Sequence, residues 1–152
     1  MRLLVLLTLT LNLTLMTCAQ KSSSDPVITL ERTVCYGTCP SYSLQIYEDG
    51  RVVYEGKEFV KKTGLAEGRI EKKAVEDLVA EFIKLNYFGL KKKPDCPNSW
   101  TDFPSTMTSL NWHGRHNAVD HYQGCEGSDL LKELTKLENK VDEVVNTAQW
   151  VK

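Results

Sequence analysis

Apolar and polar residues alternate in three short segments that follow residue 26. The first covers residues 27–34, with Val34 on its apolar side, and the second covers residues 42–46. An Asp49-Gly50 pair comes next and suits a tight hairpin turn, because both residue types tolerate positive φ. A third alternating segment starts directly after this pair. The pattern therefore predicts an antiparallel meander of three strands.

Further strands are expected on both sides of the first predicted helix. Two short glycine-flanked segments, residues 56–60 and 69–70, are candidates for extending the meander. A second hairpin is predicted later in the chain, with strands at residues 106–112 and 117–122 joined around residues 113–115.

Two segments carry apolar residues at helical spacing. The first helix is predicted for residues 71–85 and is expected to end at Asn86, and the second begins after Ser128, a residue type that caps helices. Their apolar stripes consist of Val75, Leu78, Val79, Phe82 and Ile83 in the first helix, and of Leu130, Leu134, Leu137, Val141 and Val144 in the second. This order of strands and helices predicts a single α+β domain, with both helices on one face of an antiparallel sheet.

The first eighteen residues have the pattern of an export signal. A positive start precedes an apolar run over residues 3–15, which is shorter than the roughly 20 residues of a membrane-spanning helix. The run ends at Leu15-Met16-Thr17-Cys18, which resembles the bacterial lipobox, although ordinary cleavage after Ala19 remains an alternative. We expect a signal peptide at residues 1–17, lipid attachment at Cys18, a polar tether at residues 18–25 and a folded domain at residues 26–152. The expected location is the bacterial cell envelope, facing the periplasm, with secretion without an anchor as the alternative.

Composition and charge exclude one broad class of function. Of the 152 residues, 41% are hydrophobic and 26% are charged, and 19 Lys and Arg residues against 20 Asp and Glu residues give a net charge of -1. These values are typical of a globular domain. They do not provide the basic excess that nucleic-acid binding requires.

Several short motifs carry a resemblance to a known family. The most specific is Cys35-Tyr36-Gly37-Thr38-Cys39-Pro40, and it is accompanied by segments 28–32, 101–104 and 108–110. Over residues 27–151 the sequence resembles the domain-of-unknown-function family 6438. That resemblance implies a small exported bacterial protein, often a lipoprotein, with no established activity.

The four cysteines of the predicted domain are expected to form two structural disulfides. Cys35 and Cys39 flank the turn between two predicted strands, whereas Cys96 and Cys125 bracket the second hairpin. Of three possible connectivities we therefore predict Cys35–Cys39 and Cys96–Cys125. Thiol-redox chemistry or copper or zinc binding at Cys35 and Cys39 is the alternative. Reactive pairs of this kind usually open a helix, and here the following residues alternate like a strand.

The histidines provide a second, weaker set of candidates. His116 and His121 fall on opposite faces of one predicted strand and His113 falls at its turn, so a zinc site is not expected and no metal or other cofactor is predicted. Asp102 and His121 are close enough in the predicted hairpin to share a pocket, which would suit a hydrolase. No nucleophile motif accompanies them.

The leading hypothesis is thus a non-catalytic envelope protein that binds an unknown envelope protein or a small ligand. The candidate binding residues are Tyr36, Asp102, Trp112, His121 and Tyr122. The thiol-redox or metal-handling protein and the hydrolase are the alternatives.

Overall fold

The computed structural model describes residues 25–152. The predicted signal peptide, the lipidation site Cys18 and nearly all of the predicted tether lie outside the described residues. Within residues 25–152, no helix is long and apolar enough to cross a membrane.

A six-stranded antiparallel sheet forms the centre of the molecule, in the order β4-β3-β2-β1-β6-β7. The strands are β1 (Ile28–Arg32), β2 (Ser41–Ile46), β3 (Arg51–Glu58), β4 (Gly64–Arg69), β6 (Ser105–Trp112) and β7 (Arg115–Tyr122). Two short strands, β5 (Asn98–Ser99) and β8 (Cys125–Glu126), form a separate ribbon beside it. The meander and the second hairpin are confirmed, and β1 joins them by pairing with both β2 and β6.

The helices cover one face of this sheet, as predicted. They are α1 (Lys72–Lys84), α2 (Asp129–Val145) and α3 (Ala148–Val151), with a 3₁₀ turn at Tyr87–Gly89. Their buried apolar residues form one core with the alternate, inward-facing residues of the strands. The single α+β domain expected from the pattern is therefore confirmed.

Three details of the predicted apolar pattern are wrong. Val34 is exposed because β1 ends at Arg32 and the chain turns away into a loop. Ile83 is half exposed because the buried arc of α1 ends at Phe82. In α2 the fully buried positions include Glu138, a charged residue that the predicted stripe left out.

The short helix α3 closes the far edge of the core. Its Trp150 stacks on Tyr54 of β3 with ring centroids 4.8 Å apart. Gly68 of β4 leaves room for this indole, since a Cβ there would lie only 3.0 Å from the ring. The backbone of Lys62 also donates to the carbonyl of Trp150, at 2.8 Å. The C-terminus is thereby fastened to the β3–β4 hairpin.

Candidate functional site

Charged side chains are buried where α2 crosses the sheet. Arg32 follows Ile28 and Leu30 on the inward face of β1, and so it points toward the helices. Glu138 occupies a core position of α2 and is 1% exposed. Because buried charges need partners, each of these residues anchors a set of hydrogen bonds.

The first set joins Arg32 to α2 and to the neighbouring strands. Its guanidinium donates to Oδ2 of Asp142 at 2.8 Å, to Oγ1 of Thr106 at 3.2 Å and to Oδ1 of Asn139 at 3.1 Å. The hydroxyl of Tyr42 donates to Oδ1 of Asp142 at 2.7 Å. Both carboxylate oxygens of Asp142 therefore accept hydrogen bonds.

The pKa shifts in this set follow from burial and charge. Burial opposes the charge of Arg32, but the Asp142 carboxylate and neighbouring groups outweigh it, so the pKa of Arg32 is raised. Burial, and then the Asp142 carboxylate, raise the pKa of Tyr42 well above its ordinary value. Arg32 thus stays cationic and Tyr42 stays a hydrogen-bond donor throughout the physiological pH range.

The second set centres on His121, which is 2% exposed. Its Nδ1 lies 2.8 Å from Oε1 of Glu138. The amide of Gln123 donates to Oε2 of Glu138 at 2.9 Å and to Oγ1 of Thr106 at 3.0 Å. Thr106 therefore connects the two sets, and the imidazole ring is held in one orientation by a carboxylate that is itself held in place.

A cavity of about 350 Å³ borders His121. It lies at the β7 edge of the sheet, and the Cys96–Cys125 disulfide forms part of its wall. Its lining residues are Lys93, Pro94, Cys96, Ser99, Ser105, Asp120, His121, Tyr122, Cys125 and Leu131. A buried, oriented imidazole is thus placed beside a space large enough for a small ligand.

The loops at the end of the sheet where β1 finishes carry exposed apolar side chains. We call Val34, Tyr36, Trp100 and Phe103 the aromatic loop end; Tyr36 is 90% exposed and Trp100 is 60% exposed. The backbone N–H of Tyr36 donates to the carbonyl of Asp102, which joins the two loops. The hydroxyl of Tyr122 donates to the carbonyl of Trp100 at 2.7 Å.

Both predicted disulfides are present at this end. Cys35–Cys39 closes the loop between β1 and β2, and Cys96–Cys125 ties the segment before β5 to β8. Strand β2 begins at Ser41, directly after Cys39-Pro40, so the cysteine pair does not open a helix whose N-terminus would stabilise a thiolate. The surroundings are those of a structural cross-link.

The five candidate binding residues separate into three places. Tyr36 and Asp102 lie on the loops, and His121 and Tyr122 line the cavity. Trp112 lies at the opposite end of the sheet, with its ring edge-on to His113.

The predicted partnership of Asp102 and His121 is not formed. The carboxylate of Asp102 is exposed and accepts a hydrogen bond from Thr101, while the acid beside His121 is Glu138. In the hairpin register His121 lies opposite Thr106, one of the two positions, Thr106 and Thr108, that a simple hairpin would allow. His121 is buried, whereas His113 and His116 are exposed. Within residues 25–152, no group of three or more His, Cys, Asp or Glu side chains is arranged to hold a metal ion.

Sequence reasoning missed Arg32, Asp142, Gln123 and Glu138. Two signals were available. Arg32 continues the inward alternation of Ile28 and Leu30, and Glu138 interrupts the helical stripe of α2 at a core position. A charged residue at a position that should be apolar indicates a buried partner.

Comparison with known proteins places the chain in a family. No curated protein matches the sequence. The family described as "Domain of unknown function (DUF6438)" matches residues 26–145, which is most of the chain and nearly all of the described fold. The protein therefore belongs to the DUF6438 family.

Proposed function

We propose that this protein is an exported, lipid-anchored protein of the bacterial envelope that binds another envelope protein through the aromatic loop end. The observation that carries the proposal is that Tyr36, Trp100 and Phe103 are exposed on two adjacent loops that disulfides and backbone hydrogen bonds hold in place. Contiguous exposed apolar side chains mark binding surfaces, and rigid aromatic residues lose little entropy when they are buried in an interface.

The disulfides support the proposed location. Disulfides persist in oxidising compartments such as the periplasm and are rare in the cytosol. Cys35–Cys39 lies within one of the proposed binding loops, and Cys96–Cys125 lies next to the other. In an exported protein the two disulfides would stay oxidised and would hold these loops in one conformation, so the loops would not need a larger core beneath them.

The position at which the described chain begins supports an orientation in which the aromatic loop end faces away from the membrane. Asp25 and Val27 lie beside Trp112 and Gly114, at the β6–β7 turn, which is the opposite end of the sheet from the aromatic loop end. A lipid at Cys18 would be separated from Asp25 by six residues, and the seven Cα–Cα steps between them would reach about 25 Å when extended. The sheet itself is about 26 Å long, from the eight residues of β6. The aromatic loop end would then face away from the membrane, toward the periplasm.

Fractionation tests the anchor. The native protein is expected in the detergent phase, and Cys18→Ser is expected to abolish lipid attachment and processing at that residue. An unmodified mature N-terminus at Gln20 would contradict the lipid anchor and establish ordinary cleavage.

Site-specific photo-crosslinking in the producing cells tests the binding surface. A photoreactive phenylalanine at Tyr36 and, separately, at Phe103 is expected to yield the same discrete cross-linked product. Leu65 is the matched control, because it is a large apolar residue that is 69% exposed and lies on β4, the edge strand farthest from β7. Equal products from Leu65, or none from the two loop positions, would rule out the proposed surface.

A further inference from the structure

The cavity beside His121 is separate from the aromatic loop end and has polar groups directed into it. Its floor includes His121 and Leu131, and its rim includes Lys93, Ser99 and Asp120. At about 350 Å³ it lies in the range of small-molecule sites.

One nitrogen of the His121 ring is left for a ligand. Within the described residues, Nδ1 of this side chain is paired with Glu138, and the Gln123 amide nitrogen lies beside it at 3.2 Å. In this part of the chain no fully enclosed side-chain nitrogen or oxygen lacks a partner. Nε2, which has no protein partner among the described residues, must therefore be open to the cavity.

The hydrogen bond made by Nδ1 determines whether Nε2 is a hydrogen-bond donor or acceptor. A carboxylate is only an acceptor, so Nδ1 carries the proton that it donates to Glu138. In the neutral ring this leaves the lone pair on Nε2. The floor of the cavity thus presents a fixed hydrogen-bond acceptor that is matched by an O–H or N–H donor of a ligand.

The charges around the cavity do not favour an ionic ligand. Lys93 and Asp120 form an ion pair at 3.5 Å across the rim. Because these two charges are paired with each other, the rim has no net charge that would attract an anion or a cation. The hydroxyls of Ser99 and Ser105 are not charged and can both donate and accept, whereas the Tyr122 hydroxyl already donates to the carbonyl of Trp100.

We propose that this cavity binds a neutral polyhydroxylated molecule of monosaccharide size, with one of its hydroxyl groups donating to Nε2 of His121. The mixture of hydroxyls and acceptors on the walls suits several hydroxyl groups. The apolar surface of Leu131, Pro94 and the Cys96–Cys125 disulfide suits the carbon skeleton of such a molecule.

NMR spectroscopy of the purified full-length protein tests this site. The probes are glucose, N-acetylglucosamine, myo-inositol and glycerol, and the readout is the ¹⁵N shift of each histidine ring nitrogen. At least one probe is expected to move Nε2 of His121 in a saturable manner, because the nitrogen changes from solvent contact to a fixed hydrogen bond. His113 and His116 are exposed and serve as internal controls that stay unchanged. If no probe moves the His121 signal, the proposal is wrong.

A pair of variants on one short strand separates binding in the cavity from other effects. Ser99 lines the cavity, while its neighbour Asn98 does not, since successive side chains of a strand point to opposite sides. Ser99→Tyr is expected to weaken probe binding at least about tenfold by filling the entrance, whereas Asn98→Tyr is expected to leave it within about twofold. Both positions are exposed, and neither side chain hydrogen-bonds to Glu138 or Gln123.

Unchanged binding in Ser99→Tyr would place the probe elsewhere and overturn the proposal. This outcome is distinguishable from failure of the proposed partner surface, because the cross-linking at Tyr36 and Phe103 depends on different side chains.

Discussion

At the scale of single residues, the unusual feature is charge placed inside the core. Arg32 and Asp142 are mostly buried, and Glu138 is almost completely buried. Burial of such groups is tolerated only because each has several hydrogen-bond partners, and removal of one partner of a buried pair typically costs about 3–5 kcal/mol. These contacts fix how α2 lies across the sheet and, through Gln123 and Glu138, how the His121 ring is oriented.

A buried hydroxyl provides a pH-dependent prediction at the same scale. Burial raises the pKa of Tyr87 to about 12, and its hydroxyl lies 2.8 Å from Oγ1 of Thr108. An unfolded tyrosine ionises near pH 10, so both states keep the proton below that pH and the stability contribution is constant there. Between about pH 10 and 12 only the unfolded state loses its proton, which favours unfolding by up to about 1.4 kcal/mol per pH unit.

The comparison with Tyr87→Phe isolates this effect. At neutral pH the variant is expected to be less stable by about 1–3 kcal/mol, because Thr108 is left without its partner. Above about pH 10 the gap between the two proteins should narrow, since only the wild type loses the contribution of Tyr87. Urea unfolding of both proteins at a series of pH values measures this difference in the free energy of unfolding. A gap that stays constant up to pH 12 would show that Tyr87 ionises equally in both states.

At the scale of elements, local rules account for most of the secondary structure. The β6–β7 hairpin turns at His113-Gly114, both with positive φ, and this geometry matches the twist of paired strands. Helix α1 ends at Lys84 and is followed by its C-cap Leu85 and by Asn86 in the left-handed region. The loop that joins β1 to β2 is closed by the Cys35–Cys39 disulfide, and the loop that joins β5 to β6 contains Asp102 in the left-handed region and is joined to the first loop by the hydrogen bond from Tyr36 to Asp102.

The two disulfides are expected to differ in their effect on stability. In the chain-entropy account, a loop of five residues restrains the unfolded chain by about 2 kcal/mol and a loop of thirty by about 3.6 kcal/mol. Replacing Cys96 and Cys125 together by Ser should therefore lower the melting temperature more than replacing Cys35 and Cys39 together. Removing both members of each pair leaves no free thiol from the broken bond. A larger loss from the Cys35 and Cys39 variant would contradict the entropic account.

At the scale of the whole molecule, helix α3, which lies beyond the family match, completes the core. The match ends at residue 145, whereas α3 follows it and places Trp150 against Tyr54 and Gly68. This packing covers the β3–β4 hairpin, which is at the edge of the sheet farthest from the cavity.

Removal of this contact should destabilise the entire domain. Trp150→Ala is expected to cost about 3–5 kcal/mol, because a large buried ring is replaced by a cavity. Gln149→Ala is the control: it is exposed on the same short helix and should change stability by less than about 0.5 kcal/mol. Thermal unfolding of both variants measures the difference. Equal stability of the two variants would mean that α3 does not belong to the cooperative core.

The short strands β5 and β8 and the short helix α3 were not predicted. The amino-acid sequence alone was enough to predict the meander, the second hairpin, the two long helices, the α+β class and both cysteine pairings. These follow from periodicity, turn residues and short chain separations, all of which act locally. The expectations of export and lipid attachment at Cys18 also come from local signals, and they remain predictions. The exposure of Ile83 was beyond this reasoning, because periodicity identifies an apolar stripe on a helix but not how wide an arc its neighbours cover. The exposure of Val34 was beyond it because the alternation of residues does not show that β1 ends at Arg32.

Which polar groups meet in the core depends on contacts between residues that are distant in the sequence. Glu138 is 17 residues from His121 and Asp142 is 110 residues from Arg32, and their contacts require α2 to cross the strand ends in one particular position. That position results from the packing of the whole core, which no local pattern specifies. Because α2 crosses at this position, the acid beside His121 is Glu138 and not the predicted Asp102, and Nε2 of His121 is open to the cavity.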